Sequence, residues 1–514
     1  MTRRRVGLPF GWQLGMVGLV AALLRLALLW HSGGWHSAIE YDDGVHYGSS
    51  SLLLHGVLPY RDYDFLQPPG ITWLLLPWAA VGRIFGDATG LVFARLATVA
   101  AAGATTMLLG RFVGRSTSRR RGLLAALIYA CAAPALVAGR TVMLEPWLDL
   151  ALIVAYDRLS RRQLTHRDSW VGGVALGLAV TVKAWGLVAA IVLLAWLACR
   201  RPRTDAGTFA RLGAGALGAV TVVCLPFFVF APGRMITDVI TAQLGRPVDG
   251  TGDTFLRWSQ FLAIKPIFAH PYVPAALAAV ALVACALGAL RRGALAWLML
   301  GELAAGLVMF ALSPPYFYHY GDYLIVPMAV IVAFALPSLQ PVRGPARSVR
   351  VGAAWTAVWI LGLGGVVQLS AAWSQGSPAS VNVDQLNDLL GPKGCVSADQ
   401  PLLIELADAT SRDCRPWPDP RGTALSALPA NVGSHFYPFG FRRLPQFQRD
   451  WRAELAVSST VILTGSPCSQ ADWTVALCHQ FEHEFRYAGS AGWATPALLP
   501  VEVWRRPVVA HTRS

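Results

Sequence analysis

The segment ITWLLLPWAAVGRIFG at residues 71–86 determines how the rest of the chain is interpreted. It is apolar enough to be taken for a membrane span. However, it is only sixteen residues long and contains Pro77 and Arg83, whereas a transmembrane helix needs about 20 residues. If it crossed a membrane, the side of every later loop would invert. We therefore predict that it lies on the outer membrane surface, or dips in and returns, with Trp73 and Trp78 at headgroup level.

The composition around this segment indicates a membrane protein. Of 514 residues, 54% are hydrophobic and 14% are charged, against about 25% charged residues in soluble domains. This excludes a cytosolic enzyme, a disordered chain and a small disulfide scaffold. The net charge of +14 comes almost entirely from arginine. In an apolar chain such an excess indicates cytoplasmic loops, and we predict no nucleic-acid partner.

Eleven apolar runs are predicted as transmembrane helices. They are residues 9–30, 88–113, 122–139, 145–159, 170–182, 185–199, 209–230, 272–290, 294–312, 322–338 and 352–373. Arginine clusters occur in every second connection. They lie at residues 3–5, 111–121, 158–167, 200–211, 291–292 and 343–350. Because Lys/Arg-rich loops stay inside, we predict a multi-pass plasma-membrane protein with a cytoplasmic N-terminus.

This alternation of inner and outer connections places four polar connections and the tail outside the cell. The connections are residues 31–70, 139–146, 231–272 and 313–321. We predict two domains, a membrane domain at residues 1–373 and an extracytoplasmic domain at residues 374–514. The tail alternates strand-like and helix-like pieces, which predicts an α/β or α+β domain.

The tail contains four cysteines, Cys395, Cys414, Cys468 and Cys478. An even number in an oxidising compartment predicts two disulfides. Sequence allows three pairings, of which Cys395–Cys414 with Cys468–Cys478 is the local one. The alternative is that these are reduced, buried thiols. The spacings do not fit a zinc site.

Acidic residues gather just past the first span, in Glu40-Tyr41-Asp42-Asp43. The same outer loop continues through Arg61 to Gln67-Pro68-Pro69-Gly70. Acidic clusters are also common in ordinary solvated connectors. This loop alone therefore does not distinguish a functional acidic cluster from a simple connector.

Three further outer segments carry candidate residues. Arg140 and Glu145-Pro146 lie in the second outer turn, although Glu145-Pro146 also fits a simple helix start. Lys183 follows Thr181 at the end of a span, where a lysine is usually a membrane anchor. Tyr318-His319-Tyr320 lies in an aromatic segment that also fits an interfacial belt.

Together these groups suit the transfer of a chemical group from a lipid-borne donor to an external acceptor at the outer face. A carboxylate can act as general base toward an attacking hydroxyl. Arginine and lysine can stabilise the charge of a departing phosphate. The chain has no Gly-rich phosphate loop and no dinucleotide-binding pattern, which argues against a nucleotide-sugar donor.

In this arrangement the sequence resembles the GT-C-fold membrane glycosyltransferases, in particular the protein O-mannosyltransferases and lipid A aminoarabinose transferases. The resemblance covers roughly residues 1–340. It rests on five motifs in order, namely Asp42-Asp43, Gln67-Pro68-Pro69-Gly70, Glu145-Pro146, Thr181 with Lys183, and Tyr318-His319-Tyr320. Two departures are Asp43, where many relatives have Glu, and Gln67, where some have Lys.

The resemblance implies inverting transfer of a sugar from a polyprenyl phosphate to a cell-envelope glycan, lipid or protein. It assigns the base role to Asp42, with Asp43 and Glu145 orienting the acceptor or holding a divalent cation. The metal itself is left open. The candidates for the lipid phosphate are Arg61, Arg140 and Lys183, and the other site candidates are Glu40, Gln67, His319 and Tyr320.

Two other classes of protein remain as alternatives. One is a transporter or flippase for a polyprenyl-linked or envelope substrate, which Glu302 favours because an ionisable group in mid-span is costly and often functional. No paired halves of the transporter type are seen. The other is an inactive scaffold whose external domain binds glycans.

Overall fold

The computed structural model of the chain is mostly helical, with one four-stranded sheet near the C-terminus. It describes residues 8–200, 204–246, 257, 272–290, 293–335, 356, 379–391, 394–426, 444–467, 472–494 and 499–507.

Nine of the predicted spans coincide with helices. These are Phe10–His31, Asp87–Ser116, Glu145–Leu159, His166–Val182, Gly186–Cys199, Ala206–Phe228, Tyr272–Ala289, Ala294–Leu312 and Asp322–Ala335. Within the described ranges, five helical stretches are long and apolar enough to cross a membrane, which is the pattern of a multi-pass membrane protein. The count of eleven crossings stays a prediction, and residues 352–373 lie outside the described residues, apart from Thr356.

The predicted span at residues 122–139 is wrong in its continuity. The helix Arg119–Cys131 ends at Ala132, which is extended (φ −65°, ψ 131°), and a second helix, Ala133–Ala138, follows. Pro134 lies in the first turn of that second helix. Its ring would clash with a carbonyl four residues earlier and it lacks an N–H, so the first helix cannot continue through it.

Residues 71–86 form the helix Gly70–Phe85. At 1.5 Å per residue, its sixteen residues extend about 24 Å, less than the roughly 30 Å hydrocarbon core. Its buried side chains, including Ile71, Leu75 and Ala79, lie on one face, and the helix packs against Tyr41–Leu54. The surface location of this segment stays a prediction.

The chain divides into two compact units. The first comprises residues 1–28, 97–223 and 250–372, and the second residues 29–96, 224–249 and 373–514. Residues 31–70, the predicted first outer loop, therefore fold in the same unit as the tail. The two segments pack closely at Gly44, since a Cβ at this position would lie 2.1 Å from the backbone nitrogen of Leu402.

Residues 224–249 also fold with residues 31–70. They form the short helices Pro232–Ile236 and Ala242–Leu244, joined by a π-helical turn at Thr237–Thr241. Nε of Arg234 donates to Oδ1 of Asp64 at 2.7 Å, and Oδ2 of Asp238 accepts from the Phe65 N–H at 3.1 Å.

The tail contains four strands, β1 (Val396–Ala398), β2 (Thr460–Thr464), β3 (Arg486–Ala494) and β4 (Leu499–Arg505), which form a mixed sheet in the order β1-β2-β4-β3. Strand β1 runs parallel to β2, while β4 pairs antiparallel with both β2 and β3. The helices of the tail are Val383–Leu390, Pro401–Leu406, Pro420–Ser426, Pro445–Val457 and Val475–Glu484. The predicted mixture of strands and helices is confirmed.

One of the predicted disulfides is present, joining Cys395 and Cys414. Cys478 is also disulfide-bonded. Cys468 lies outside the described residues, so the predicted Cys468–Cys478 pairing stays a prediction.

Candidate active site

In the first unit, three predicted residues from distant parts of the chain meet. Glu145 begins its helix, Lys183 caps the end of His166–Val182, and His319 lies in a short 3-10 turn. Nζ of Lys183 donates to Oε1 of Glu145 at 2.5 Å, and Nδ1 of His319 lies 3.0 Å from the same oxygen. All three side chains are buried. The structure therefore brings these three site candidates together within the first unit.

Aromatic rings hold the lysine in place. Nζ of Lys183 lies 3.6 Å from the ring centre of Trp185 and 4.5 Å from that of Tyr320. A buried ammonium gains from both ring faces and from the carboxylate. In the described part of the chain, Oε2 of Glu145 has no hydrogen-bond partner. One carboxylate oxygen of Glu145 therefore forms no hydrogen bond with the described residues.

A second buried polar group in the same unit was not predicted. The hydroxyl of Tyr129 donates to Oδ2 of Asp149 at 3.0 Å. The guanidinium of Arg25 lies 5.7 Å from the centre of the Tyr129 ring and donates to the Ala21 carbonyl at 2.9 Å. Asp322 is fully buried, and neither of its oxygens has a hydrogen-bond partner among the described residues.

The sequence contained a signal for this second group. Arg25 lies within the first apolar run, and an ionisable residue in mid-span is by itself a functional candidate. The criterion that points to Glu302 points equally to Arg25. Gly139 accommodates Arg25, since a Cβ there would lie 2.3 Å from its Nε. Glu302 itself is buried beside the hydroxyls of Tyr156 and Tyr323.

In the second unit, the paired acids occupy the first turn of the helix Tyr41–Leu54. Carboxylates are favourable at a helix N-terminus because of the helix dipole. Asp43 is fully buried and ion-paired with Arg95, whose Nε donates to its Oδ2 at 2.9 Å. Arg95 also donates to the carbonyls of Trp35 and Ser37, at 2.6 and 2.7 Å. Asp43 therefore fixes the turn in which it lies.

Asp42 differs from its neighbour in being half-buried. Among the described residues it forms no hydrogen bond and no ion pair. Its charge lies near Asp419, whose Oδ1 accepts from the hydroxyl of Tyr41 at 3.0 Å. Burial raises the pKa of Asp419 to about 6, and the Asp42 charge adds to that rise. Among the described residues, Asp42 is thus the acid of the pair whose carboxylate is engaged by no hydrogen bond or ion pair.

The remaining candidates have varied surroundings. Arg61 is exposed and pairs with the adjacent Asp62, with Nε to Oδ1 at 2.8 Å. Gln67 uses its backbone carbonyl to accept from the Tyr60 hydroxyl at 2.5 Å. Glu40 is buried just before the helix, and Arg140 is half-buried. Within the described ranges, no cluster of three or more His, Cys, Asp or Glu residues suits a metal ion.

No protein-family model and no curated protein matches the chain. Solved structures do match its fold. ArnT from Cupriavidus metallidurans bound to undecaprenyl phosphate is similar at 15% identity and a TM-score of 0.61, covering 96% of this chain and 98% of that chain. Its apo form gives a TM-score of 0.59 at the same identity, covering 95% of this chain and 98% of that chain.

The oligosaccharyltransferase of Archaeoglobus fulgidus in the apo form is similar at 12% identity and a TM-score of 0.55, covering 96% of this chain and 76% of that chain. At identities this low, the likeness concerns the fold. The chain therefore has the GT-C fold of these membrane glycosyltransferases, which confirms the fold that its sequence resembles.

Proposed function

We propose that this chain transfers a sugar from a polyprenyl-phosphate donor to a cell-envelope acceptor on the outer face of the membrane. The observation that carries the proposal is the buried lysine of the first unit, held by a carboxylate and two aromatic rings. It occurs in a fold shared, over nearly the whole chain, with a transferase whose structure contains undecaprenyl phosphate.

The proposed reaction is an inverting displacement. An acceptor hydroxyl attacks the anomeric carbon, and its proton passes to the carboxylate of Asp42. The bond between that carbon and the phosphate oxygen breaks, and its electron pair leaves with the polyprenyl phosphate. Asp42 suits the base role because no cation neutralises it in the described part of the chain.

The other residues bind or position the reactants in this proposal. Lys183, Arg61 and Arg140 bind the lipid phosphate. Glu145 orients Lys183 and His319, while Asp43 holds the turn that carries Asp42 through its ion pair with Arg95. Glu40, Gln67, His319 and Tyr320 are proposed to line the acceptor side. A divalent cation at these carboxylates stays an open alternative.

Donor turnover tests the function directly. Purified protein in nanodiscs is incubated with a panel of radiolabelled polyprenyl-phosphate sugars, and released sugar and free lipid phosphate are measured. Turnover of one donor supports a transferase and names its sugar. Absence of both binding and turnover for every donor would contradict the proposal and favour the transporter alternative.

Removing the buried cation is expected to weaken donor binding. Lys183→Met alone leaves Glu145 as a buried carboxylate without its lysine, which is strongly destabilising. The informative variant is therefore Lys183→Met with Glu145→Gln. We expect its dissociation constant for the donor to rise by about tenfold to a hundredfold. This is the loss in affinity that corresponds to removing one hydrogen bond to a charged group. Lys183→Arg keeps the charge and is the control, and unchanged donor binding in the double variant would exclude Lys183 as a phosphate ligand.

The proposed orientation is tested by cysteine labelling of intact cells. The exposed native Cys199 is first replaced by serine. A cysteine at the exposed Asp62 should then react with a membrane-impermeant maleimide, whereas one at the exposed Ser118 should react only after lysis. Labelling of Ser118→Cys in intact cells would reverse the orientation and move the acid-bearing loop to the cytoplasm.

A further inference from the structure

The first turn of the helix Tyr41–Leu54 lacks the usual local cap. Its N-cap residue, Glu40, forms no side-chain capping hydrogen bond with the described residues. The first four N–H groups of a helix have no partner within the helix, so a first turn without a side-chain cap frays easily. The position of Asp42 in this turn therefore depends on contacts from other parts of the chain.

The tail holds the residue that precedes Asp42. The Tyr41 hydroxyl donates to Oδ1 of Asp419 at 3.0 Å and accepts from the Arg421 N–H at 3.2 Å. The single proton of this hydroxyl and one of its lone pairs are thus engaged by the tail. The guanidinium carbon of Arg421 also lies 5.1 Å from the centre of the Tyr41 ring. The Tyr41 side chain is therefore held both at its hydroxyl and at its ring.

Asp419 is itself fixed by the start of a tail helix. It is buried and directly precedes the helix Pro420–Ser426. Its Oδ1 also accepts from the Gly422 N–H at 2.8 Å, and its backbone carbonyl accepts from the Thr423 N–H at 2.9 Å. A Cβ at Gly422 would lie 2.0 Å from Oδ2 of Asp419, so this close approach requires a glycine. The carboxylate that accepts from Tyr41 is therefore held in place by the helix that it caps.

The residue that follows Asp42 is fixed as well, because Asp43 is ion-paired with the buried Arg95. Asp42 lies between these two fixed neighbours, and within the described ranges its own carboxylate has no hydrogen bond or ion pair. Its direction is therefore set by the backbone of the turn. We propose that Asp419 is a positioning residue, which orients the carboxylate of Asp42 by holding Tyr41. The role of Asp42 as the base rests on the proposed function, whereas the fixing of the turn does not.

Tyr41→Phe tests this inference, since it removes the hydroxyl and keeps the ring. A misplacement of about 1 Å can cost about a hundredfold in rate. We therefore expect kcat for sugar transfer to fall by about tenfold to a hundredfold, with an unchanged dissociation constant for the polyprenyl-phosphate donor. The matched control is Tyr487→Phe, which removes the same hydroxyl from a tail side chain that is 54% exposed, and it should keep the wild-type kcat.

Two replacements of Asp419 separate its position from its charge. Asparagine keeps an acceptor oxygen and caps a helix about as well as aspartate, so Asp419→Asn should keep most of kcat. Asp419→Ala removes the acceptor and should lower kcat as Tyr41→Phe does. Equal losses in the two variants would show that the charge matters and would overturn the inference. Thr474→Ala controls for the lost cap, because Thr474 caps the tail helix Val475–Glu484, and it should leave kcat unchanged.

Hydrogen–deuterium exchange in nanodiscs measures the turn without any donor. Peptides that cover residues 41–54 should exchange faster in Tyr41→Phe and Asp419→Ala than in wild type and Asp419→Asn. Unchanged exchange would overturn the inference, and so would faster exchange with wild-type kcat. If Asp419→Ala does not fold, Tyr41→Phe provides the test alone. If wild type turns over no donor, the transferase proposal fails, while exchange still decides whether Asp419 holds the turn.

Discussion

Asp42→Asn is expected to reduce sugar transfer by about 10²–10⁴-fold, the usual contribution of a general base. The folded protein should be unaffected, because in the described residues Asp42 has no hydrogen-bond or ion-pair partner to lose. The change also removes a negative charge beside Asp419. The measurement is initial-rate turnover of the donor identified from the panel, alongside thermal unfolding of the same preparation.

The matched control is Asp413→Asn, the same substitution at a side chain that is 86% exposed. It should keep wild-type turnover. Donor binding separates two explanations of a loss, since a missing base leaves the dissociation constant unchanged and lowers only the rate. Wild-type turnover in Asp42→Asn would remove Asp42 from the base role.

Arg95→Met is expected to lower the free energy of unfolding by about 3–5 kcal/mol, because it leaves Asp43 as a buried carboxylate without its cation. The carbonyls of Trp35 and Ser37 lose their guanidinium donor in the same step. Membrane proteins often unfold irreversibly, so the practical measurement is the half-life and midpoint of thermal unfolding in one detergent at one scan rate.

Two further variants define the cause of that loss. Removing both charges, with Asp43→Asn and Arg95→Met, should recover part of the stability because no buried charge is left alone. Arg412→Met breaks an exposed pair and should change stability by no more than about 1 kcal/mol. Equal effects of Arg95→Met and Arg412→Met would show that the buried pair is not important for the fold.

Much of the helical architecture could be predicted from sequence because apolar length is a local property. The runs at residues 145–159 and 294–312 coincide with the helices Glu145–Leu159 and Ala294–Leu312. The predicted span at residues 122–139 is interrupted at Ala132 for a local reason, namely Pro134. Hydropathy averaged over a window does not register a single proline. The packing of the helix Tyr41–Leu54 against the tail, through Gly44 and Leu402, has no local signature in the sequence.

The candidate site shows the same division. The residue types were predicted, including Glu145, Lys183 and His319. Their shared carboxylate oxygen joins positions 38 and 174 residues apart, which only tertiary structure can specify. The unequal surroundings of Asp42 and Asp43 depend on Arg95, which no local sequence pattern singles out.

The close packing of Gly44 on Leu402 also affects biosynthesis. These residues are separated by 358 positions in the chain (402 minus 44). At about 5–20 residues per second of translation, the helix Tyr41–Leu54 waits roughly 20–70 s for its partner. During that interval its buried acids and hydroxyls are solvated, and the nascent segment is open to proteases and chaperones. Synthesis of the tail therefore limits when the acid-bearing turn reaches its final conformation.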